Sequence, residues 1–386
     1  MCGIVGYVGP REASATVFDG LKRLEYRGYD SAGIATIQDG RIAIRRDEGK
    51  LSNLEQLLAE QPVNGHIAIG HTRWATHGVP SERNAHPHTD CTGEIAVIQN
   101  GIVENFLKLR QDLQTEGHEF CSETDTEVIV HLVEKYMAQG HSLAEAGRQA
   151  FNQIKGAHAI VLLSSREPDT LVAARLGNAG GVTVGLGDGE TFLASDIPAI
   201  LEHTQRMIFL EDEEMVIINA DGPRFLSLDG EPVEKTVTEI PWDPISAVKG
   251  TYRHFMQKEI HEQARSITDT LRGRIDFETG LVTLSDLNLP VEAAREIEKM
   301  VTVACGTSAY SGLVGKFMIE SLARVPVEVD YGSEFRYRDP IINRNTLILA
   351  ITQSGETVDT LAAMEEAAEK GARLVSIVNV IGSMAQ

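Results

Sequence analysis

A cysteine at position 2, ahead of Gly3-Ile4-Val5-Gly6, places a nucleophile at the start of the chain. Met1 precedes a small residue, and its removal leaves Cys2 carrying a thiol and a free α-amine together, the amine with an ordinary pKa of about 7.7–8. A thiol is mostly protonated at neutral pH. A neighbouring amine that takes its proton, directly or through water, activates it without a distant histidine. The competing reading is that a small residue after the initiator has no chemical role, so the rest of the chain must supply context. Four polar clusters do so: Tyr26-Arg27-Gly28-Tyr29-Asp30, His71 through Gly78, Asn100-Gly101, and Glu123 through Glu127. Each falls at the end of an expected element, where chemistry tends to collect.

The elements that must position these clusters are legible from periodicity. Ile4 to Val8 reads as an apolar strand, and Val17, Leu21 and Leu24 recur at helical spacing. Ile34–Ile37 and Arg41–Ile44 flank Asp39-Gly40, a pair that tolerates positive φ and so marks a hairpin. Further strands are expected at His66–Gly70 and Ile95–Gln99, and helices at Phe106–Thr115, Thr126–Met137 and Leu143–Ile154. Ser52/Glu55, Thr124/Glu127 and Ser142/Glu145 have the spacing of capping boxes. Short strands then dominate from Ala157 to about Pro232, so the order of elements predicts an α+β layered domain with antiparallel sheets.

Together with Cys2, the clusters resemble the class II glutamine amidotransferases, whose glutaminase domain is a four-layer αββα sandwich of the N-terminal-nucleophile type. The resemblance implies that Cys2 attacks the side-chain amide of L-glutamine, with Asn100 and Gly101 as oxyanion donors; one such donor is worth ~10²-fold or more in rate. Asn-Gly is also the commonest tight-turn pair. Glutamine's α-carboxylate and α-ammonium call for a cation and a carboxylate, and Arg73 and Asp125 match those positions. Asp125 could equally serve as an acid at the start of a helix. By the same resemblance Thr76 and His77 line the glutamine pocket, Trp74 gates an ammonia passage, and Arg27 stands beside the nucleophile. A buried structural tryptophan and a surface salt bridge are the competing readings of the last two. His86-Pro87-His88 lacks a third ligand at helical spacing, so no metal is assigned.

At 386 residues the chain calls for two or three domains. Pro241, Pro244 and Gly250 mark a linker, and a polar helical region is expected over about Tyr252–Arg272. Beyond it, Val301–Ala304 and Thr346–Ile351 are apolar runs fit for buried parallel strands, each followed by a hydroxyl-rich turn and a helix. Cys305-Gly306-Thr307-Ser308 and Thr352-Gln353-Ser354-Gly355-Glu356-Thr357 are the turns, and helix N-termini with added hydroxyls suit a phosphate monoester. Either turn alone is also an ordinary helix start. As a pair they resemble the sugar isomerase (SIS) domain. Glutaminase followed by SIS is the order of the amidotransferases that aminate fructose 6-phosphate, and the segments Tyr252–Glu259 and Ser333–Arg338 resemble theirs as well.

The resemblance implies that Thr307, Ser308, Thr352, Gln353, Ser354 and Thr357 hold the sugar phosphate, with Thr352 standing where a serine is expected. It also implies a homodimer and transfer of nitrogen to fructose 6-phosphate, giving glucosamine 6-phosphate, with no metal or organic cofactor. The expected domains are glutaminase 1–240, linker and helical connection 241–290, and an incomplete α/β SIS-type parallel sheet 291–386. Because the sequence stops soon after the Leu374–Val378 strand, the expectation is a truncated chain without the second SIS domain. Such a chain would hydrolyse glutamine with little synthesis, and an unpaired sheet edge would limit its solubility. A different class II amidotransferase, acting on phosphoribosylpyrophosphate or asparagine precursors, and a non-catalytic sugar-phosphate sensor are the alternatives.

The balance of 35 basic against 56 acidic residues, −21, argues against nucleic acid and anionic membranes as partners. Cys2, Cys91, Cys121 and Cys305 are widely spaced, which suits a reducing compartment. With no apolar run of ~20 residues and no signal-peptide pattern, a cytoplasmic location is expected.

Overall fold

The computed structural model describes residues 2–386 other than 178–180, 241–251, 253, 277, 285–286, 288 and 381–382. The chain divides into two compact units, Met1–Trp242 and Asp243–Gln386. The first runs β1 (Gly3–Val8), α1 (Ala13–Arg23), β2 (Ser31–Gln38), β3 (Arg41–Glu48), α2 (Leu51–Glu60), β4 (Ile67–Arg73), β5 (His88–Thr89), β6 (Ile95–Gly101), α3 (Phe106–Thr115), α4 (Glu127–Ala138) and α5 (Leu143–Phe151). It continues with β7 (His158–Ser164), β8 (Leu171–Leu176), β9 (Thr183–Leu186), β10 (Thr191–Ala194), β11 (Arg206–Phe209), β12 (Glu214–Asn219), β13 (Gly222–Ser227) and β14 (Thr238–Glu239). Two antiparallel sheets result, in the orders β14-β11-β9-β10-β1-β4-β2-β3 and β13-β12-β8-β7-β6-β5.

Alternation along the strands builds the layers. On β7, Ala159, Val161 and Leu163, with Ile98 of the adjoining β6, face Ile4 and Ile69 of the first sheet, whereas Ile160 and Leu162 pack under α3–α5 with Val128, Leu132 and Phe151. Each fully buried Ile or Leu contributes about 1.5–3 kcal/mol over leaving it in water. On the other side α1 lays Val17 and Leu21 against Gly70 of β4, where a Cβ would stand 2.4 Å from the valine methyl. The arrangement is the expected four-layer αββα sandwich.

Asp39 and Gly40 take φ of 52° and 73° and close the β2–β3 hairpin as their sequence predicts. None of the three capping boxes forms in full. Helix α2 begins at Leu51 after Lys50, leaving Ser52 inside it. At α4, Thr124 Oγ1 pairs with Ser122 and His88, and the Glu127 carboxylate accepts from the Cys121 and Ser122 backbone N–H groups, folding the loop before the helix onto its first turn. Ser142 does cap α5, accepting from the Glu145 N–H at 3.3 Å, but the Glu145 carboxylate turns to Arg148 and Gln149.

The second unit contains α6 (Phe255–Leu271), α7 (Val291–Arg295), β15 (Lys299–Ala304), α8 (Thr307–Leu322), β16 (Val327–Tyr331), α9 (Gly332–Tyr337), β17 (Thr346–Thr352), α10 (Val358–Glu369) and β18 (Arg373–Val378). Its sheet, β16-β15-β17-β18, is parallel throughout. Val301, Val303, Ile348 and Ala350 bury against Phe335, Ala363 and Ala367. The expected linker around 241–250 lies outside the described residues. Helix α6 is shorter at both ends than the expected Tyr252–Arg272. Among the described residues no helix is long and apolar enough to cross a membrane.

Candidate active site

Antiparallel pairing of Gly3 with Thr72 brings the start of β1 beside the end of β4, and so brings Cys2 to the His71–Gly78 cluster. The Trp74 backbone N–H meets Cys2 Sγ at 3.1 Å, and the Trp74 carbonyl lies 3.6 Å from the same sulfur. Gly28 makes the tight approach possible, since a Cβ there would sit 2.7 Å from the Thr72 carbonyl oxygen. Asp30, from the same cluster, accepts from the Ala75 N–H at 2.7 Å and pins the segment after Trp74. Burial pushes the Cys2 thiol pKa up, against the pull of the Trp74 N–H and the guanidinium groups of Arg73 and Arg27.

The second sheet delivers Asn100 and Gly101 at the end of β6. They are paired with Ala159 and His158 of β7, so the tight-turn reading of Asn-Gly does not hold. Gly101 has φ 124°, and a Cβ on it would meet the Ala157 carbonyl oxygen at 2.1 Å. Asn100 Nδ2 donates to the Cys2 carbonyl oxygen at 3.2 Å, while its Oδ1 faces His71 Nε2 at 3.0 Å. Burial lowers the His71 pKa to about 3, so the ring is neutral and its proton belongs on Nε2, donating to Asn100. The histidine therefore fixes which way the amide points.

Arg73 is buried. Its Nη2 donates to the His77 and Gly78 carbonyl oxygens, while Nη1 is buried without a partner. One carboxylate oxygen of Asp125 accepts from the Val103 N–H at 2.7 Å, and the other stands 3.8 Å from His77 Nδ1. Asp125 thus does not cap its helix. Thr76 is exposed and close to His77, its hydroxyl 3.4 Å from the ring nitrogen. Trp74 is 47% exposed and tilts against Tyr29, so it is not a buried structural tryptophan. Arg27 makes an ion pair, but a buried one: Nη1 reaches Asp196 at 3.2 Å and the Ser195 carbonyl at 3.1 Å. The pair ties the connection between α1 and β2 to the loop that follows β10.

Behind His71 lies a column of buried histidines, of which the sequence showed only the His86-Pro87-His88 pair. His71 stacks on His86 at 4.2 Å, and His86 meets His88 edge-on at 4.7 Å. Burial lowers His88 to about 3, His86 well below the ordinary value, and His158, bonded to Gln99, to about 4. In the unfolded chain each titrates near 6.5. Below about pH 6.5 the unfolded chain therefore binds more protons than the folded one, so stability falls as the pH falls toward 3 and is fully present above 6.5. Unfolding of the first unit near pH 5 is expected to take up about three to four protons, each giving a slope of about 1.4 kcal/mol per pH unit. Calorimetry in buffers of different ionisation enthalpy measures that number, and an uptake of none would show that the column is already charged in the folded state.

In the second unit the two hydroxyl-rich turns stand side by side, because Ala304 of β15 pairs with Ile351 of β17. Thr307 opens α8 and Thr357 precedes α10. The Thr360 hydroxyl approaches Cys305 Sγ at 3.6 Å, bridging the turns. Thr307 and Gln353 are exposed, and Ser308 and Thr357 are half-buried. Thr352 and Ser354 are buried and hold the turn itself, accepting from the Gly355 and Glu356 N–H groups at 3.2 Å each.

A glutamine amidotransferase domain matches residues 58–220, and a SIS domain matches 295–386. The first match covers Arg73, Asn100 and Asp125 but begins after Cys2 and Arg27. The glutamine–fructose-6-phosphate aminotransferase (isomerizing) of Symbiobacterium thermophilum is 50% identical over 99% of the chain, and that of Thermus thermophilus 48%. The chain spans 62% of the length of either relative. In fold it is similar to the glutamine phosphoribosylpyrophosphate amidotransferase from B. subtilis, with a TM-score of 0.53 and 20% identity over 98% of this chain and 81% of that one. Along nearly its whole length the chain is thus similar to glutamine–fructose-6-phosphate aminotransferases, and it carries a glutamine amidotransferase match followed by a SIS match.

Proposed function

We propose that the first unit cleaves the side-chain amide of L-glutamine and that the protein passes the ammonia to fructose 6-phosphate, giving glucosamine 6-phosphate and glutamate. The observation that carries the first half is the convergence on Cys2 of a backbone N–H from Trp74 and an amide whose orientation is set by neutral His71. With Met1 removed, the α-amine of Cys2 takes the thiol proton, which burial otherwise retains. The sulfur adds to the amide carbon, and the oxyanion is met by Asn100 Nδ2 and the Gly101 N–H. The amine returns the proton to the leaving ammonia, and water then opens the thioester to glutamate and free thiol.

Arg73 supports the substrate assignment. A buried guanidinium nitrogen without a partner is costly, and a bidentate α-carboxylate would satisfy it. Asp125, with one oxygen held by Val103 and the other toward His77, suits the α-ammonium. Thr76 and His77 would line that pocket, Trp74 would cover the exit for ammonia, and Arg27 would brace the nucleophile. In the acceptor half, the paired N-termini of α8 and α10 would bind the sugar phosphate through Thr307, Ser308, Gln353 and Thr357, with Thr352 and Ser354 shaping the turn. This reading assigns residues 1–240 to the glutaminase, 241–290 to the connection and 291–386 to the SIS domain, in a cytoplasmic homodimer.

The test uses purified chain whose first residue is confirmed as Cys2 by mass. Glutamate and glucosamine 6-phosphate are measured from glutamine, with and without fructose 6-phosphate. Glutamate release is the expected result, and amino-sugar formation would show that the second unit also works. A folded chain with a free Cys2 that releases no glutamate would overturn the proposal.

A further inference from the structure

Away from Cys2, three segments of the first unit bring together Cys91 from the β5–β6 connection, His118 from the α3–α4 connection, and His131 and Glu134 from one face of α4. Sulfur, both Nδ1 atoms and a carboxylate oxygen lie within 4.8 Å of one another. Among the described residues they are the one such group of metal-ligating side chains. We propose that these four residues bind a single zinc-class divalent ion.

The geometry separates this from an ordinary hydrogen-bonded patch. Cys91 Sγ lies 3.9 Å from His118 Nδ1 and 3.7 Å from His131 Nδ1, long for hydrogen bonds. A tetrahedral ion with Zn–S of ~2.3 Å and Zn–N of ~2.0–2.1 Å places those atoms about 3.6 Å apart. Glu134 Oε2 stands 2.7 Å and 3.0 Å from the two Nδ1 atoms and would withdraw by about 0.5 Å to the spacing of a shared ion. A thiolate and a carboxylate with two neutral imidazoles balance a 2+ charge, and sulfur and nitrogen donors favour zinc over magnesium or calcium.

The surroundings resemble the second layer that metal sites need. The Glu119 N–H donates to Cys91 Sγ at 3.3 Å. His131 Nε2 is buried with no hydrogen-bond partner and faces Glu127 Oε1 at 3.7 Å. That carboxylate is in turn held by Ser122 and Cys121. His131 is fully buried and Cys91 is exposed, so an ion has a path in from solvent. Four protein donors leave no open position, which makes the site structural rather than catalytic. It would staple α4, just beyond Asp125, to two loops.

Binding replaces the Cys91 S–H bond with a sulfur–metal bond and releases that proton to solvent. After chelator treatment, the full chain titrated with cobalt(II) chloride is expected to take one equivalent, with a thiolate-to-cobalt charge-transfer band that zinc chloride then displaces. Cys91→Ser should remove the band, and His118→Ala should weaken zinc binding by more than the roughly 10–100-fold typical of an outer-layer partner. Cys121→Ser should change neither. Zinc should also raise the melting temperature of the unaltered chain but not of Cys91→Ser. Absence of a one-equivalent cobalt complex, or a band that survives Cys91→Ser, would overturn the proposal.

Discussion

Cys2→Ala is expected to lower glutamate release from glutamine by about 10⁴–10⁶-fold, the scale on which enzymes lose activity when a covalent nucleophile is removed. The substitution leaves the sheet intact, because β1 begins at Gly3 and the pairing of Gly3 with Thr72 is a backbone matter. Melting temperature should therefore be unchanged within the error of the measurement. Cys2→Ser is the sharper variant. Its hydroxyl can still accept from the Trp74 N–H, but an α-amine is a far weaker match for an alcohol than for a thiol. It should also lose most of the activity while still binding glutamine. Residual turnover above about 1% in Cys2→Ala would mean that another group, or water alone, attacks the amide, and the covalent scheme would fail.

The second large effect is expected at Asn100. Asn100→Ala removes one of two proposed oxyanion donors and should lower kcat by about 10²–10³-fold with KM little changed, because the donor matters most when charge develops on oxygen. His71→Leu provides the companion measurement. It leaves the donor in place but frees the amide to rotate, since Oδ1 loses the Nε2–H that orients it at 3.0 Å. A smaller loss, again in kcat, is expected, and adding His71→Leu to Asn100→Ala should then cost nothing further in rate. A loss in KM alone would instead assign Asn100 to substrate binding, and a loss of less than about threefold would remove it from the oxyanion role.

How much of this was legible beforehand divides along physical lines. β15 and β17 are buried on both faces, so continuous runs such as Val301–Ala304 announce them. The paired turns follow from hydroxyls placed just after those runs. In the first unit, Cys2, Arg73, Asn100 and Asp125 stood out as an ordered set of residue types, and the fold brings Asn100 to Cys2. What could not be read was the state each would adopt. Asn-Gly is a common turn pair, and only the pairing of Gly101 with His158 shows it ending a strand. The competing reading of Arg27 as a surface salt bridge stayed open because its partner Asp196 is 169 residues away. The capping boxes at Ser52 and Thr124 fit a local pattern, but α2 already starts at Leu51, and at α4 Thr124 went to Ser122 and His88 and Glu127 to the loop before its own helix. His86 and His88 were visible as a pair but their stacking on His71 was not, and the Cys91 cluster gave no signal, since these partners come from separate segments that meet only in the fold.

The place of β1 has a consequence in time. The strand that follows Cys2 is made before the strands that flank it, since it sits inside its sheet, between β4 and β10, and Ile4 exchanges hydrogen bonds with Ser195. One flank can form early, but the other waits for residues Thr191–Ala194 to be synthesised. At roughly 5–20 residues per second, the roughly 120 residues from the end of β4 to the end of β10 take about 6–24 s. During that interval Cys2 is held on one side only, and its thiol has no finished site in which to react. Translation would thus delay the proposed chemistry of Cys2 until the sheet around it is complete.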